Sequence, residues 1–469
     1  MSNQPLQLVS AEVLIEKYAK GEETGLAGNL AAEAIRQRVA IALSSVEKDP
    51  DSWKNRFFDA QESGVIMAGR VNSAAGTGID ATLINCFVQP VSDATSGYEN
   101  GRPGIYLALN QAAETMRRGG GEGYDFSHIR PRGAKVSGTG SSASGPVSYM
   151  HVYDRSCQTV ESAGARRGAQ MGVLRIDHPD IHEFITEKRN RGSLTQFNVS
   201  VAVTDEFMNA LKNGDSFDLV HKAEPSEEQV SKGAFKRADG KWVYSQVSAQ
   251  SIWDLIMENT FNQAEPGVIF IDHDNAENNL YYAEKIEACN PCGEQYLPDY
   301  GCCCLASVNL AAYVSHLNIL GTPKPAVDCF DWDRFKLDIH LAVRMLDNVL
   351  TITYWPLDEQ RQEAESKRRI GLGITGLGSM LVQLGLRYDD KSGRDFAEKI
   401  SVVLRDEAYR ASIDLAKEKG AFPLFDKDKY LNSRFTSRLP TDIPEGIARH
   451  GIRNSHLLSI APTGTISIA

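Results

Sequence analysis

Five adjacent residues near the middle of the chain carry the side chains best suited to chemistry. Asn290, Cys292 and Glu294 alternate with Pro291 and Gly293. In an extended segment, their amide, thiol and carboxylate would therefore point to one face. A hydrogen-bond donor, a sulfur and a base on one face suit a reaction on a polyol such as ribose. Because proline and glycine at the alternate positions disfavour a regular central strand, we expect a rigid loop with Cys292 at its tip.

The eight cysteines are unevenly distributed along the chain. Most of them cluster in one short segment, which contains Cys289, Cys292, Cys302, Cys303 and Cys304. Zinc is one interpretation, because the first two form a C-x-x-C pair, but no second pair follows and three consecutive thiols cannot all face one ion. A thioredoxin-like redox pair is another, although such pairs open a helix and Asn-Pro-x-Gly disfavours one. Cys157 and Cys329 are expected to be packing residues.

Composition limits the classes of protein to which the chain can belong. Its 469 residues, 42% of them hydrophobic and 24% charged, are ordinary for a globular protein with one large barrel or two to three domains. The net charge of −11 argues against direct binding of nucleic acid. The N-terminal residues do not form a secretory signal, and no apolar run reaches membrane-spanning length. We therefore expect a cytoplasmic protein without a membrane partner.

The elements that must position the central loop alternate between helices and strands. Helical periodicity covers residues 11–60, 106–118, 149–161, 180–189, 335–353 and 396–419. Short apolar or alternating runs predict strands at residues 83–88, 173–176, 197–203, 268–271 and 457–460. This alternation predicts an α/β fold with mainly parallel strands.

A glycine-rich segment offers a different class of function. Residues 371–376 match G-x-G-x-x-G, which in a dinucleotide-binding fold follows a strand. Residues 363–369 precede the motif, and they are charged and helix-like. We therefore predict close helix packing through small side chains and keep a nicotinamide-dependent dehydrogenase as a remote alternative.

Several sequence blocks occur in an order that is similar to one enzyme family. They cover residues 85–88, 116–133, 145–154, 165–181, 290–310, 368–378 and 461–467. Together they resemble the catalytic subunit of a ribonucleotide reductase of the class I and class II lineage, over residues 80–469. The resemblance implies a ten-stranded α/β barrel of the glycyl-radical-enzyme type with a central finger loop. It places the barrel at residues 81–469, behind a helical N-terminal region at residues 1–80.

The resemblance assigns a role to each candidate catalytic residue. Cys292 matches the cysteine that becomes a transient thiyl radical and takes the ribose 3′ hydrogen. Glu294 matches the base that accepts the 3′-hydroxyl proton, and Asn290 the amide that holds the ribose hydroxyls. Cys86 and Cys303 match the pair that protonates the leaving 2′-hydroxyl, supplies two electrons and ends as a disulfide. The two cysteines that flank Cys303 would be packing residues.

The resemblance also implies two nucleotide-binding sites. The substrate contacts it suggests are Asn85, Ser144, Gly145, Pro462, Thr463, Gly464, Thr465 and Ser467, of which residues 462–467 form the loop that holds phosphates. The effector contacts it suggests are Asp93, Arg130, Arg166, Arg167 and Gln170. The effector would be a deoxynucleoside triphosphate or ATP, bound with magnesium at a specificity site in a homodimer.

The remaining expectations concern the form of the enzyme and its partners. The residues before Cys86 are too few for the family's ATP-binding cone, so the chain resembles compact phage-type subunits of a bacterial cell or phage-infected host. We expect no metal in this chain and a radical from a separate ferritin-like di-metal subunit, with class II adenosylcobalamin as the alternative. The substrate would be a ribonucleoside diphosphate (alternatively a triphosphate), and the reductant an external thioredoxin- or glutaredoxin-type thiol. Because the family barrel continues beyond the position of Ala469, the chain is expected to be a fragment or an unusually compact form.

Overall fold

The structure is a computed structural model of the chain, and it describes residues 7–136, 140–160, 168–318 and 324–468. The α-helices are α1 (Leu8–Lys17), α2 (Gly28–Ser44), α3 (Pro50–Ser63), α4 (Gly69–Ala74), α5 (Ile105–Arg117), α6 (Pro146–Thr159), α7 (Ile181–Thr186), α8 (Asp205–Asn213), α9 (Glu227–Ser231), α10 (Ala249–Gln263), α11 (Ile271–Glu277), α12 (Trp332–Ile352), α13 (Asp358–Lys367), α14 (Leu377–Gln383), α15 (Lys391–Lys419), α16 (Lys427–Leu431) and α17 (Asp442–His450). The strands are β1 (Val65–Met67), β2 (Cys86–Val88), β3 (Tyr98–Glu99), β4 (Arg102–Pro103), β5 (Gly121–Asp125), β6 (Gln170–Arg175), β7 (Phe197–Val203), β8 (Ser216–His221), β9 (Phe235–Lys236), β10 (Trp242–Ser248), β11 (Gly267–Phe270), β12 (Ala288–Cys289), β13 (Tyr296–Leu297), β14 (Cys302–Cys303), β15 (Leu305–Asn309) and β16 (Gly371–Thr375).

The chain divides into two compact units. The first combines Met1–Asn85 with Cys302–Ala469, and the second is Cys86–Gly301. The second unit is therefore one continuous segment, whereas the first is built from both ends of the chain. The domain boundary predicted from the sequence, after residue 80, stays a prediction.

Parallel strands form the main sheet of the second unit. Strands β11, β7, β6, β5 and β2 are neighbours in this order, and each pair among them is parallel. Helices connect successive strands, as parallel pairing requires. Strands β2, β5, β6 and β7 are almost continuously buried, as expected for a parallel sheet that is covered on both faces, whereas the edge strand β11 is largely exposed. The predicted strand Phe197–Val203 is observed with these bounds.

Aromatic side chains fill the core of the second unit. The rings of Tyr124 and Tyr153 meet edge to face with their centroids 5.1 Å apart, and Phe126 and Phe197 pack around them. The buried Tyr124 hydroxyl donates to Gln170 Oε1 at 2.9 Å. The rings come from β5, from the residue that follows it, from helix α6 and from β7, and Gln170 connects β6 to them, so the core fixes these elements relative to one another.

In the first unit, helix α12 carries charges into the interior. Asp347 is buried, accepts from Arg368 Nε at 2.7 Å and from Asn454 Nδ2 at 3.0 Å, and pairs with Arg453. Arg368 and Arg453 hold the pKa of Asp347 below its ordinary value against the effect of burial. A buried charge is tolerated only when it is paired in this way, so Asp347 fixes the segments that supply its partners.

Helix ends follow the local capping chemistry. The Asp331 side chain accepts from Arg334 N at 3.1 Å, so α12 begins before the predicted residue 335. Helix α6 begins at Pro146, directly after Gly145, because proline suits the first helical position. The described helices include none with both the length and the apolar composition to cross a bilayer.

The prediction that residues 371–376 mediate helix packing is wrong. Residues Gly371–Thr375 form strand β16, parallel to β15. A Cβ atom at Gly373 would lie 2.2 Å from the carbonyl oxygen of Ser459, so glycine allows a neighbouring segment to approach the strand backbone. That segment includes the strand predicted at residues 457–460, which is only an isolated parallel bridge between Leu458 and Leu372.

We predict that a buried carboxyl group makes stability depend on pH. Glu122 in β5 is fully buried, and burial, opposed by a hydrogen bond with Thr115, raises the pKa of Glu122 well above its ordinary value. The folded state therefore binds this proton more tightly than the unfolded state does. The resulting contribution to the free energy of unfolding is complete below the pKa of the unfolded state and is lost as pH rises towards the raised pKa of the folded state. Glutamine cannot ionise, so the free energy of unfolding of Glu122→Gln minus that of the wild type should be larger at pH 8 than at pH 5, by about 1 kcal/mol or more. Urea unfolding at both pH values tests this, and parallel pH dependences would contradict it.

Candidate active site

The segment around Cys292 forms a tight turn between two short strands. Strands β12 and β13 pair antiparallel, and Asn290 N donates to Gln295 O at 3.0 Å. Gln295 N returns a hydrogen bond to Asn290 Oδ1 at 3.0 Å. Gly293 N donates to Asn290 O, and Gly293 has a positive φ of 80°, which glycine adopts without strain. The turn leaves Cys292 exposed, as expected for the tip of a rigid loop.

Asn290 and Glu294 are joined directly within this turn. Asn290 is fully buried and its Nδ2 donates to Glu294 Oε2 at 2.6 Å. Burial raises the pKa of Glu294, and the hydrogen bond from Asn290 lowers it in part. The carboxylate is therefore more basic than an exposed glutamate, and its orientation is fixed by the amide.

The turn rests on the backbone of strand β5. A Cβ atom at Gly123 would lie 1.8 Å from Cys289 O, and one at Gly121 would lie 3.0 Å from Pro291 Cγ. From β7, Asn198 Nδ2 donates to Pro291 O at 2.8 Å. These contacts hold the turn against the sheet without using any of the three candidate catalytic side chains.

The two candidate redox cysteines lie in different units. Cys86 is buried in β2, directly opposite Gly121 in the register with β5. Since Pro291 packs at Gly121, Cys86 lies one strand away from the contact that supports the turn. Cys303 is buried in β14 of the first unit. The pairing of Cys86 with Cys303 stays a prediction.

The cysteines on either side of Cys303 are surrounded by protein. Burial raises the pKa of both thiols, with Glu363 adding to the effect at Cys302 and Asp347 at Cys304. Cys304 Sγ donates to Leu346 O at 3.5 Å. These surroundings agree with packing roles, because a buried protonated thiol is unreactive.

The geometry gives no support to the two alternative interpretations of the cysteine cluster. Cys289 is fully buried, and burial raises the pKa of its thiol, which makes it a poor partner for a redox pair. Within the described residues, the group of potential metal ligands that meet is Asp125, His128 and Glu287, and it contains no cysteine. Arg102 already contacts both His128 and Glu287 there.

The predicted phosphate-binding loop is a partly exposed turn of the first unit. Thr463 has a positive φ of 53°, which is strained for a β-branched residue and is a feature of functional sites. Ser467 N donates to Thr463 O at 3.0 Å, and Ser467 Oγ donates to Gly464 O at 2.9 Å. The loop also contains Pro462 and Thr465, so the structure brings the five predicted contacts of this loop together.

The other predicted substrate contacts lie at separate places in the chain. In the first unit, Asn85 Oδ1 accepts from Arg70 N at 3.4 Å. In the second unit, Ser144 is exposed and Gly145 precedes helix α6 with a positive φ of 80°. A Cβ atom at Gly145 would lie 3.0 Å from Arg132 N and 2.7 Å from Asp180 Oδ2, and together with the positive φ these contacts favour glycine.

The structure brings two of the predicted effector contacts together and separates a third. Arg130 N and Nε donate to the two carboxylate oxygens of Asp93, at 2.8 and 2.9 Å. Gln170 is instead fully buried. Its Oε1 accepts a hydrogen bond from the Tyr124 hydroxyl at 2.9 Å, and its Nε2 donates to Tyr153 O at 3.4 Å. Residues 166 and 167 lie outside the described residues.

Sequence reasoning missed two residues that hold the turn, Asn198 and Gly123. Asn198 is the exposed position of β7, so the sequence offered no signal that separates it from an ordinary surface residue. Gly123 lies inside β5, and a glycine within a strand marks a close approach of another backbone.

Comparison with known proteins identifies the family. The family described as "Ribonucleotide reductase, barrel domain" matches residues 84–469. Two similar proteins are named vitamin B12-dependent ribonucleoside-diphosphate reductase. The one from Mycobacterium tuberculosis (strain CDC 1551 / Oshkosh) is 34% identical over 99% of this chain and 60% of the relative. The one from Thermoplasma acidophilum is 35% identical over 84% of this chain and 45% of the relative.

A third relative carries a different name. The ribonucleoside-diphosphate reductase subunit alpha of Chlamydia muridarum is 26% identical over 92% of this chain and 43% of the relative. The chain thus spans 60% or less of the length of these three relatives. Because the family match covers most of the chain, the chain belongs to the ribonucleotide reductase family.

The comparisons confirm one prediction and correct another. The α/β barrel class predicted from the sequence is confirmed by the family match. The prediction of a ferritin-like di-metal subunit as the radical source is wrong. The relatives with 34% and 35% identity are named for their dependence on vitamin B12, whereas the relative named as an alpha subunit has only 26% identity.

We predict that a methyl group at Gly123 displaces the turn. Gly123→Ala places a carbon where Cys289 O lies, so the strand and the hairpin must separate, at a cost of about 3 kcal/mol or more. Gly378→Ala is the control, because nothing lies within 4 Å of its Cβ position in helix α14. It should leave the free energy of unfolding unchanged or raise it by up to about 1 kcal/mol. Denaturant unfolding compares the variants, and equal stabilities would show that the close approach is not needed.

Proposed function

We propose that the chain is the catalytic part of a ribonucleotide reductase, which converts ribonucleotides to 2′-deoxyribonucleotides for DNA synthesis. The observation that carries the proposal is the turn in which Asn290 orients Glu294 beside the exposed Cys292. The family match and the names of the relatives support it. Those names also favour a ribonucleoside diphosphate as the substrate.

In the proposed first step, the turn acts on the ribose ring. Cys292, as a thiyl radical, takes the hydrogen atom from C3′, so that an S–H bond forms while the C–H bond breaks. Glu294 accepts the proton of the 3′-hydroxyl, for which its raised pKa is favourable. Asn290 holds the carboxylate in place and contributes to binding of the ribose hydroxyls.

In the proposed second step, Cys86 and Cys303 supply the electrons. One thiol of the pair protonates the 2′-hydroxyl, which leaves as water. The pair then supplies two electrons and its second proton to C2′, where a C–H bond replaces the C–O bond, and forms a disulfide, while Glu294 returns its proton to the 3′ oxygen. The hydrogen taken by Cys292 returns to C3′, which regenerates the radical at sulfur. An external dithiol must reduce the disulfide before the next turnover, which suits a cytoplasmic enzyme.

We propose adenosylcobalamin as the source of the radical. When bound, this cofactor supplies a carbon radical that removes the hydrogen atom from a thiol. The described residues fit this chemistry at Cys292, because the thiol is exposed at the tip of its turn. The names of the relatives from Mycobacterium tuberculosis and Thermoplasma acidophilum support the proposal.

Two further nucleotide contacts belong to the same proposal. Residues 462–467 would hold the substrate phosphates through backbone amides and hydroxyls. Asp93 and Arg130 would bind the ribose and phosphates of a deoxynucleoside triphosphate effector in a homodimer. Their mutual ion pair supports this role, because it keeps both groups in one fixed place until a ligand competes for them.

We predict that Cys292→Ser abolishes deoxynucleotide formation and preserves nucleotide binding, because a serine hydroxyl does not form the required radical. Turnover should be measured with adenosylcobalamin and a dithiol, and binding by calorimetry. Cys289→Ala is the control, since its buried thiol has no role in the proposed chemistry. It should keep turnover. Appreciable activity of Cys292→Ser, or a loss confined to Cys289→Ala, would contradict the proposal.

We predict an acid limb in the pH dependence of kcat/KM that reports Glu294. The carboxylate acts as a base only when it is deprotonated, so activity falls as pH drops through its raised pKa. The limb should therefore lie above the ordinary range of glutamate. Asn290→Ala removes the hydrogen bond that lowers this pKa, so its limb should move to higher pH. A shift to lower pH, or no acid limb at all, would argue against Glu294 as the base.

A further inference from the structure

A cavity in the second unit is lined mainly by charged and histidine side chains. Its volume is about 300 Å³, which is in the range of sites for small ligands. The cavity lies at the carboxyl ends of strands β5, β6 and β8, beside the segment that leads into β12. Its lining includes Ser127, Arg175, Lys222, Lys241, Lys285 and Glu287.

The cavity is positively charged, although the whole chain has a net charge of −11. Among the described residues that line it, Arg175 and three lysines are cations, whereas Asp177 and Glu287 are anions. Burial lowers the pKa of His178 to about 4 and that of His221 to about 3, so neither of them adds charge at neutral pH. The lining therefore carries two more positive than negative charges, which attracts anions into the cavity.

The three lysines reach the cavity from separate segments of the chain. Lys222 follows β8, Lys241 precedes β10 and Lys285 precedes β12. Strands β8 and β10 pair antiparallel, with Trp242 opposite His221. Continued by one residue, this register places Lys241 opposite Lys222. Like charges at opposite positions destabilise an antiparallel pair, and an anion bound between the two ammonium groups would remove that cost.

The ion pairs of these lysines are of the kind that an anion can replace. Lys222 Nζ lies 3.5 Å from Glu99 Oε1, and both side chains are more than a third exposed. Lys285 Nζ lies 2.7 Å from Glu287 Oε1, with the lysine side chain 71% exposed. Lys241 is exposed as well. Because exposed ion pairs contribute little to stability, the lysines can turn towards a ligand at small cost.

An arginine deeper in the cavity is held in one orientation. Arg175 Nε and Nη2 donate to the two carboxylate oxygens of Asp177, each at 2.9 Å. The backbone of Arg175 is fixed too, because its N donates to Ser127 Oγ at 2.8 Å and Ser127 Oγ donates to Asp125 Oδ1. The pair with Asp177 does not engage the Nη1 hydrogens. A guanidinium group that is already oriented loses little freedom when it binds a further acceptor.

We propose that this cavity binds a phosphate-bearing anion, either a free polyphosphate or the phosphate tail of a nucleotide. The lysine ammonium groups and the Arg175 guanidinium group would donate charge-assisted hydrogen bonds to its oxygens. Neither Asp93 nor Arg130 lines the cavity, so the site is separate from the candidate effector contacts. None of the side chains that would hold the anion takes part in the chemistry of the proposed function.

Calorimetry with pyrophosphate tests the site directly. The wild-type protein should bind pyrophosphate, and the lysine variant, Lys241→Gln with Lys285→Gln, should bind it about tenfold or more weakly, because two charge-assisted hydrogen bonds are lost. The control, Lys232→Gln with Lys391→Gln, removes the same charge at two exposed positions outside the cavity and should bind as the wild type does. Lys241→Arg with Lys285→Arg keeps both charges and should retain binding.

A further variant and a second probe identify the site and the source of the anion. Arg130→Gln, at the candidate effector contact, should keep wild-type affinity for pyrophosphate. Binding that is lost in Arg130→Gln but kept in the lysine variant would overturn the proposal, as would equal losses in the lysine variant and its control, or no binding by the wild type. Adenosine diphosphate is then added before pyrophosphate. If it suppresses the heat that the lysine variant lacks, the cavity takes the phosphate tail of a nucleotide, and if that heat is unchanged, the cavity takes a free polyphosphate.

Discussion

The close approach of two backbones in the second unit sets the position of the candidate active site. The carbonyl of Cys289 lies where a side chain at Gly123 would be, so β12 can rest directly on β5. From there the chain needs only a tight turn to expose Cys292 and to bring Asn290 onto Glu294. The reacting groups thus depend on a strand that contributes none of them, and the aromatic core beneath fixes that strand.

Burial changes protonation in opposite ways at different carboxyl groups. At Glu122, burial raises the pKa well above its ordinary value, and only a hydrogen bond with Thr115 opposes the effect. Asp347 is equally enclosed, but Arg368 and Arg453 keep it charged. Glu294 lies between these cases, because one neutral amide offsets part of the cost of burial. The partners that a buried carboxyl group meets therefore decide the direction in which its pKa moves.

The sequence predicts the parts of the fold that local patterns determine. The alternation in Phe197–Val203 identifies a strand, and Pro291 with Gly293 identifies the loop at Cys292. The role of residues 371–376 could not be read in this way, because a glycine motif signals close approach without saying which backbone approaches. The same limit applies to Gln170, whose side chain is directed by the core around Tyr124. The radical source was predicted wrongly because no residue of the quoted motifs carries that chemistry.

The two candidate sites present their polar groups by different physical means. The turn at Cys292 is held by its own backbone hydrogen bonds and by contact with the sheet. It therefore depends on the absence of a side chain at Gly123 rather than on a strained backbone conformation. The loop at Thr463 has a strained backbone and is partly exposed, and the hydroxyl of Thr465 contacts that of Tyr18. A change at Gly123 should therefore act on the stability of the fold.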